Sequence, residues 1–99
     1  MKTIKNLDNS SHPLYKAILS LESPEECYEF FVDLCTRTEM AALEQRFDVA
    51  RLLSEGNSYN DILEKTGASS ATISRVNRAL NYGTGGYAKL FSKIQEDQE

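Results

Sequence analysis

The stretch SYNDILEKTGASSATISRVNRAL, residues 58–80, decides the fold of this chain, because it carries the signals of two short helices joined by a tight turn. Ser58 is a preferred helix cap, and the first helix then covers about Tyr59–Thr66. Gly67 follows, and its missing Cβ allows the chain to turn through a positive φ between two closely packed helices. The pattern predicts a helix-turn-helix.

The second helix of this motif has two different faces. Either of two adjacent serines, Ser69 or Ser70, is suited to cap it. Apolar residues fall at four positions where the two helices must face each other and the rest of the protein: Ile62, Ala68, Ile73 and Val76. The opposite face lies in solvent, and its residues are small, polar or basic: Ser69, Ser70, Ala71, Thr72, Ser74, Arg75 and Arg78.

These exposed residues suit the major groove of double-stranded DNA. Short side chains let the helix N-terminus approach closely, so that hydroxyls meet base edges and Ala71 or the Thr72 methyl meets a thymine methyl. Arg75 and Arg78 bind phosphates or a guanine, and the helix N-terminus also attracts phosphate. Two alternatives stay open. The same pattern occurs in helical hairpins that bind nothing, and a basic helix also suits an acidic partner in a protein-interaction module of the transcription machinery.

The net charge of −4 at first argues against a nucleic-acid partner. Its distribution reverses that conclusion. Residues 1–64 carry twelve acids and six bases, a balance of −6, whereas residues 65–95 carry five bases and no acid, a balance of +5, and the last four residues add −3. A solvated helix pair ordinarily carries charges of both signs, so the acid-free stretch favours DNA binding.

The rest of the chain predicts further helices and no strand, since apolar residues recur at spacings of three and four. Ser23, Pro24 and Glu26 form a capping box at the start of one helix. Thr38 is expected to cap the next, longer helix, and Gly56 to end it. The predicted fold class is therefore all-α, with about six helices.

Ninety-nine residues make one domain, in which we expect four parts. These are a flexible start (1–11), a helical dimerisation core (13–55), the helix-turn-helix (58–81) and a C-terminal helix (84–95). A chain of this length buries only about two-thirds of the surface that its unfolded form exposes. The apolar residues of the segment 27–35 also cover more than one face of a helix. Both observations favour a homodimer.

Two tyrosines flank the glycine-rich turn that follows the motif. Tyr82 and Tyr87 are suited to stack on bases or on the sugar-phosphate backbone, but aromatic residues beside such a turn more often pack against a helix end, and we expect that here. Four apolar residues have the spacing of a last amphipathic helix that closes the core: Tyr87, Leu90, Phe91 and Ile94.

Several classes of function lack their sequence signatures. Cys27 and Cys35 lie about 12 Å apart if both are on one helix, too far for a disulfide. With the single His12 they are also too few to hold a metal. Nucleophile elbows and phosphate-binding glycine loops are missing, so we expect neither an enzyme nor a cofactor. No apolar run has the length of a signal peptide or membrane span, so we expect a cytoplasmic location and no membrane partner.

Three stretches, ECYEFFVDLCTRTEMAALEQRFDVARLL, GASSATISRVNRAL and NYGTGGY, resemble the Trp-repressor-like family, in particular its short bacterial branch of YerC/YecD type. The resemblance covers about Leu14–Tyr87. It implies an intertwined homodimer whose two helix-turn-helix heads address adjacent major grooves, and hence a transcriptional regulator, expected to be a repressor. Half-sites on the DNA would lie about one helical turn apart.

The resemblance also implies a site for a corepressor. In family members that sense tryptophan, the ligand is held by two arginines that match Arg46 and Arg75, and Thr36 falls in the matching pocket segment. Val76 stands where the family has glycine and would fill the space of the indole ring, while Ala79 replaces a serine. We therefore expect a vestigial pocket that does not respond to tryptophan, with any other effector unknown. Arg46 is expected to form an ion pair on the helix surface, for instance with an acid of another helix.

Overall fold

The computed structural model describes residues 10–98 of the chain, and the side chains of residues 10–95. Within this range the protein consists of six helices joined by turns, with no strand: α1 Pro13–Leu19, α2 Pro24–Leu34, α3 Arg37–Ser54, α4 Tyr59–Thr66, α5 Ser70–Tyr82 and α6 Gly86–Gln98. The all-α class and the six helices agree with the sequence prediction. Most of the flexible start predicted at 1–11 lies outside the described residues. None of these six helices has the length and apolar character needed to cross a membrane.

The chain divides into two compact units, and the first, which ends at Arg37, contains α1 and α2. Side chains cap both helices. His12 Nδ1 accepts a hydrogen bond from the backbone N–H of Leu14 at 3.1 Å. Ser23 Oγ accepts from the N–H of Glu26 at 3.0 Å, as predicted. In a capping box the glutamate carboxylate accepts from the backbone N–H of the N-cap residue, here Ser23. In this helix the Glu26 carboxylate instead accepts from the N–H of Glu22, at 2.8 Å.

The helices α1 and α2 contain no buried residue. Leu19 is 85 % exposed, and other large apolar side chains of this unit also stand largely in solvent: Tyr15, Tyr28, Val32 and Leu34. Cys27 and Cys35 are half-buried free thiols, so no disulfide links the two ends of α2. The described residues of the first unit, 10–37, therefore lack the full apolar burial that ordinarily stabilises a folded segment.

The second unit begins at Thr38, within the first turn of α3. The prediction that Thr38 caps this helix is wrong, because Arg37 is already helical. Thr36 and Glu39 have the spacing of a capping box, which is a stronger start signal than a single threonine two residues later. The end of the helix agrees with the prediction, since Gly56 has a left-handed φ of 90°.

The core of the second unit joins α3, α4 and α5. Its buried side chains are Val49, Ala50, Leu52, Ile62, Ala68, Ile73 and Val76. All four apolar positions that the sequence assigned to the inner side of the helix-turn-helix belong to this core. Burying one valine or isoleucine side chain contributes about 1.5–3 kcal/mol. This burial therefore fixes both helices of the motif against α3.

Polar side chains also link the last two residues of α4 to the rest of the unit. Asn57 Nδ2 donates to the Leu52 carbonyl at 3.0 Å, and its Oδ1 accepts from Lys65 Nζ at 3.2 Å. Gln45 Nε2 of α3 donates to the Thr66 carbonyl at 3.2 Å. Both carbonyls lie in the last turn of a helix, where they have no partner within the helix itself.

The last helix, α6, begins two residues later than predicted and continues to Gln98. Tyr87 and Phe91 pack against the core, with their rings stacked at 6.0 Å between centroids. Leu90 and Ile94, the other half of the predicted apolar stripe, are exposed. Only one half of the stripe therefore closes the core of this unit.

Candidate nucleic-acid interface

The turn between α4 and α5 is short and tightly bonded. Gly67 ends α4 with a left-handed φ of 70°. The buried Ala68 follows, and its N–H donates to Thr66 Oγ1 at 3.1 Å. Ser69 then caps α5 by accepting from the N–H of Thr72 at 3.1 Å. Of the two adjacent serines that the sequence left open, the first is the cap.

One face of α5 is buried and the opposite face is exposed. Ile73 and Val76 lie in the core. Six of the seven residues predicted to contact DNA are exposed, and they are Ser69, Ser70, Ala71, Ser74, Arg75 and Arg78. The seventh, Thr72, is half-buried. The helix therefore presents to solvent nearly all of the residue set that the sequence singled out.

Some serine and threonine hydroxyls of this face form hydrogen bonds within the protein, and others do not. Ser69 Oγ donates to Thr72 Oγ1 at 3.1 Å, so both of these hydroxyls are engaged in the cap of α5. Ser70 and Ser74 form no side-chain hydrogen bond with any described residue, and both are exposed. The hydroxyls of these two serines, on the outer side of α5, are therefore available to a ligand.

Positive charge in residues 65–95 is not neutralised. Lys65 bonds only to the neutral Asn57, and the four other cations form no ion pair within the described part of the chain: Arg75, Arg78, Lys89 and Lys93. In α3, by contrast, Arg51 lies 3.6 Å both from Asp48 on the same helix and from Glu55 just beyond its end. The acid-free segment is therefore an electrostatically positive part of an acidic protein.

The two tyrosines that flank the glycine-rich turn have different environments. Tyr87 packs against the core, as expected. The same expectation is wrong for Tyr82, which is the last residue of α5 and is 86 % exposed. Tyr82 follows Arg78 by four residues and Arg75 by seven, so it shares their outer face. This helical spacing is the signal that would have identified it from the sequence.

An open groove runs along the outer face of α5. It is lined by Ala71, Ser74, Arg75, Arg78, Ala79 and Tyr82. Alanine and serine side chains are short, whereas the two arginines and the tyrosine are long. The face is therefore uneven, with a low strip between projecting cationic and aromatic groups.

The residues matched to a corepressor pocket are in unlike environments. Val76 is only 3 % exposed and belongs to the core, whereas Ala79 and Arg75 are exposed on α5 and Arg46 is exposed on α3. Thr36 precedes α3 and belongs to the first unit. The expected ion pair of Arg46 is absent among the described residues. Its own helix offers no acid, since the positions one turn away on α3 are alanine, leucine, valine and alanine.

Comparison with known proteins gives a consistent set of relatives. Residues 9–95 match the sequence profile of the family described as Trp repressor protein. The chain is 53 % identical over 85 residues to the uncharacterized protein YerC of Bacillus subtilis (strain 168), with 86 % of this chain and 82 % of that one covered. A crystal structure of a candidate Trp repressor from Staphylococcus aureus has a TM-score of 0.86, 42 % identity and 94 % coverage of each chain. A TrpR-like protein from Eubacterium eligens ATCC 27750 has a TM-score of 0.85 and 50 % identity, with 94 % and 96 % covered.

Proposed function

Because the chain belongs to the Trp repressor family, we propose that it is a sequence-specific transcriptional regulator that binds double-stranded DNA as a homodimer. Members of this family are in general regulators and not enzymes. The proposed action is repression by steric exclusion, in which the bound dimer blocks access to the DNA. This function implies a cytoplasmic location.

One observation carries the proposal: the outer face of α5 exposes two arginines beside short side chains, and no carboxylate of the described residues neutralises them. Duplex DNA is a polyanion, and each phosphate neutralised by a protein cation releases counterions. A carboxylate-free helix is therefore matched to DNA by charge. The short side chains allow the helix to approach the floor of a major groove.

The residues of this face divide into those that read bases and those that position the helix. Ser70 and Ser74 have the available hydroxyls for base edges, and Ala71 offers a methyl group to a thymine methyl. Arg75 and Arg78 reach phosphates or a guanine. Ser69 and Thr72 act mainly through the cap that they share, which holds the N-terminus of α5 in shape.

The first unit supports the homodimer. Its helices bury no residue, and Leu19 and four other large apolar side chains stand largely in solvent. We propose that a second copy of the chain covers these side chains, with the segment 13–55 forming the dimerisation core. Two heads related by a twofold axis then suit half-sites about 34–36 Å apart, one helical turn of DNA.

We also propose that tryptophan is not the effector. Val76 lies where tryptophan-sensing family members have glycine, and its side chain is packed in the core instead of leaving a space. Ala79 has no hydroxyl for the amino group of a ligand. Titration calorimetry with tryptophan should give no heat of binding at micromolar concentrations, and clear micromolar binding would overturn this part of the proposal.

The DNA-binding proposal is tested by selecting duplexes from a random pool with the purified protein and then measuring affinity by fluorescence anisotropy over a range of salt. Arg75→Ala and Arg78→Ala should each weaken binding. Each should also reduce the slope of log K against log salt by about 1.8, because the dimer loses two phosphate contacts worth about 0.9 each. The matched control is Arg51→Ala, which removes a cation already paired on α3 and should leave the slope unchanged.

Two results would contradict the proposal. One is a parent protein with no duplex affinity at low salt. The other is that both α5 variants bind as the parent does. Either result would favour the alternative in which the basic helix binds an acidic protein of the transcription machinery.

A further inference from the structure

We propose that Tyr82 is a further DNA-contacting residue, whose phenol lies against the sugar-phosphate backbone beside the groove that α5 enters. The inference rests on the proposed function and extends it, because the sequence predicts that this side chain packs against a helix end and the family match assigns it no role in binding.

Tyr82 is the most exposed of the large apolar or aromatic side chains described in the structure, at 86 %. It lies on the same outer stripe as the arginines, since Ala71, Arg75, Arg78 and Tyr82 follow one another at spacings of four, three and four residues. The same residues line the groove along α5. Tyr82 thus continues the candidate interface by one helical turn.

The glycine-rich turn leaves this phenol uncovered. Gly83 immediately ends α5, and a Cβ at this position would overlap the carbonyl oxygen of Ala79. Gly85 has a left-handed φ of 91°, and only Thr84 in the turn has a side chain. The chain therefore leaves the helix end without laying a bulky residue over Tyr82.

Distance along the helix selects the backbone of DNA over its bases. Tyr82 lies twelve residues after Ser70, which is about 18 Å along the axis at 1.5 Å per residue. A major groove is about 12 Å wide. If α5 crosses the groove with its N-terminal turn on the bases, Tyr82 lies beyond the width of the groove, where its hydroxyl donates to a phosphate oxygen and its ring rests on a sugar.

Charge selects DNA over a second copy of this chain. A twofold interface whose axis passes through this face would bring Arg75 and Arg78 close to the same arginines of the partner, and like charges oppose each other. The described residues of α5 and of the following turn contain no acid that would compensate. A polyanion relieves this repulsion, whereas an identical surface increases it.

The test uses Tyr82→Phe, which removes only the hydroxyl, together with Tyr82→Ala. Binding of a selected duplex and of a random-sequence duplex of equal length is measured over a range of salt. We expect Tyr82→Phe to weaken both by the same factor, about a hundredfold, because each of the two subunits loses one hydrogen bond to a charged group, worth about tenfold. The salt slope should not change, since no charge is removed. Tyr87→Phe, at a ring packed in the core, is the matched control and should bind as the parent does.

The outcomes separate this inference from the function on which it rests. Loss of affinity for the selected duplex alone would mean that Tyr82 reads a base, and would overturn the backbone assignment. Conversion of the Tyr82→Ala protein to monomers in light scattering would assign the residue to subunit contact instead. If Arg78→Ala weakens binding but both Tyr82 variants bind normally, only the inference fails. If the parent binds neither duplex, the proposed function fails with it.

Discussion

Three glycines of the second unit allow one chemical change, glycine to alanine, to be compared in three backbone settings. Gly67 has a φ of 70° and open space around the position of a Cβ, so alanine there adds only backbone strain. The left-handed conformation costs an ordinary residue about 1–2 kcal/mol. Alanine also lowers the conformational entropy of the unfolded chain, which stabilises the folded state by about 0.4–1 kcal/mol relative to glycine. The net loss of about 1 kcal/mol should lower Tm by about 4–8 °C.

The other two glycines test the effect of a steric clash and the effect of neither clash nor strain. Gly83 has an ordinary φ of −84°, but a Cβ there would overlap the Ala79 carbonyl oxygen, a backbone atom that moves only with the last turn of α5. Gly86 has neither problem, because the nearest atom to its Cβ position is Thr84 Oγ1 at 3.7 Å, an ordinary contact. Gly86→Ala is therefore the control, and should leave the free energy of unfolding unchanged or raise it slightly.

Urea unfolding followed by circular dichroism, at one fixed protein concentration, measures these differences. Asparagine tolerates the left-handed region, so Gly67→Asn should lose less stability than Gly67→Ala. No such rescue is expected for Gly83→Asn, since any Cβ meets the same carbonyl. The reasoning is refuted if Gly67→Ala unfolds like Gly86→Ala, or if asparagine rescues position 83 and not position 67.

Three further changes test the cap, the core and the subunit interface. Ser69→Ala removes the acceptor of the Thr72 N–H and should lower the free energy of unfolding by about 1 kcal/mol; Ser69→Asn, which keeps an acceptor, should lose little. Ile73→Ala should cost about 2–5 kcal/mol and Ile73→Val only about 0.5–1.5 in urea unfolding, and equal losses would contradict close packing at this site. Leu19→Glu should raise the dimer dissociation constant in analytical ultracentrifugation, while Leu63→Glu on α4 should not; an unchanged dimer in the first variant would remove α1 from the proposed interface.

Local signals explain why the helix-turn-helix was predictable. Ser58 accepts from the N–H of Asp61, and α4 begins and ends at the predicted residues. Gly67 takes the positive φ that its missing Cβ permits. These features depend on chemistry within a few residues along the chain. The inward positions of the motif were predictable for the same reason, since helical spacing leaves few choices once the ends are known.

Features that depend on competition or on distant parts of the chain were harder to predict. Thr36 and Thr38 are both suitable caps, and only the position of Glu39 favours the earlier one. An ion pair for Arg46 required an acid from another helix, and the sequence does not say which helix faces it. The exposure of Tyr82 depends on the path of the chain after Gly83, which the glycines permit but do not determine.

The proposed function requires both DNA contact and dimerisation, and the two units of the chain differ in how far they bury their apolar residues. The second unit buries a core of its own around α3, α4 and α5, whereas the helices of the first unit contain no fully buried residue. The helix-turn-helix is therefore held by contacts within one chain, whereas the proposed function requires a second copy to cover the apolar side chains of the first unit. Substitutions in α1 or α2 that separate the subunits should then lower the affinity for DNA. Two linked helix-turn-helix motifs bind far more tightly than one. These substitutions should leave the base preference of each head unaltered, since the outer face of α5 is fixed by residues that those changes do not touch.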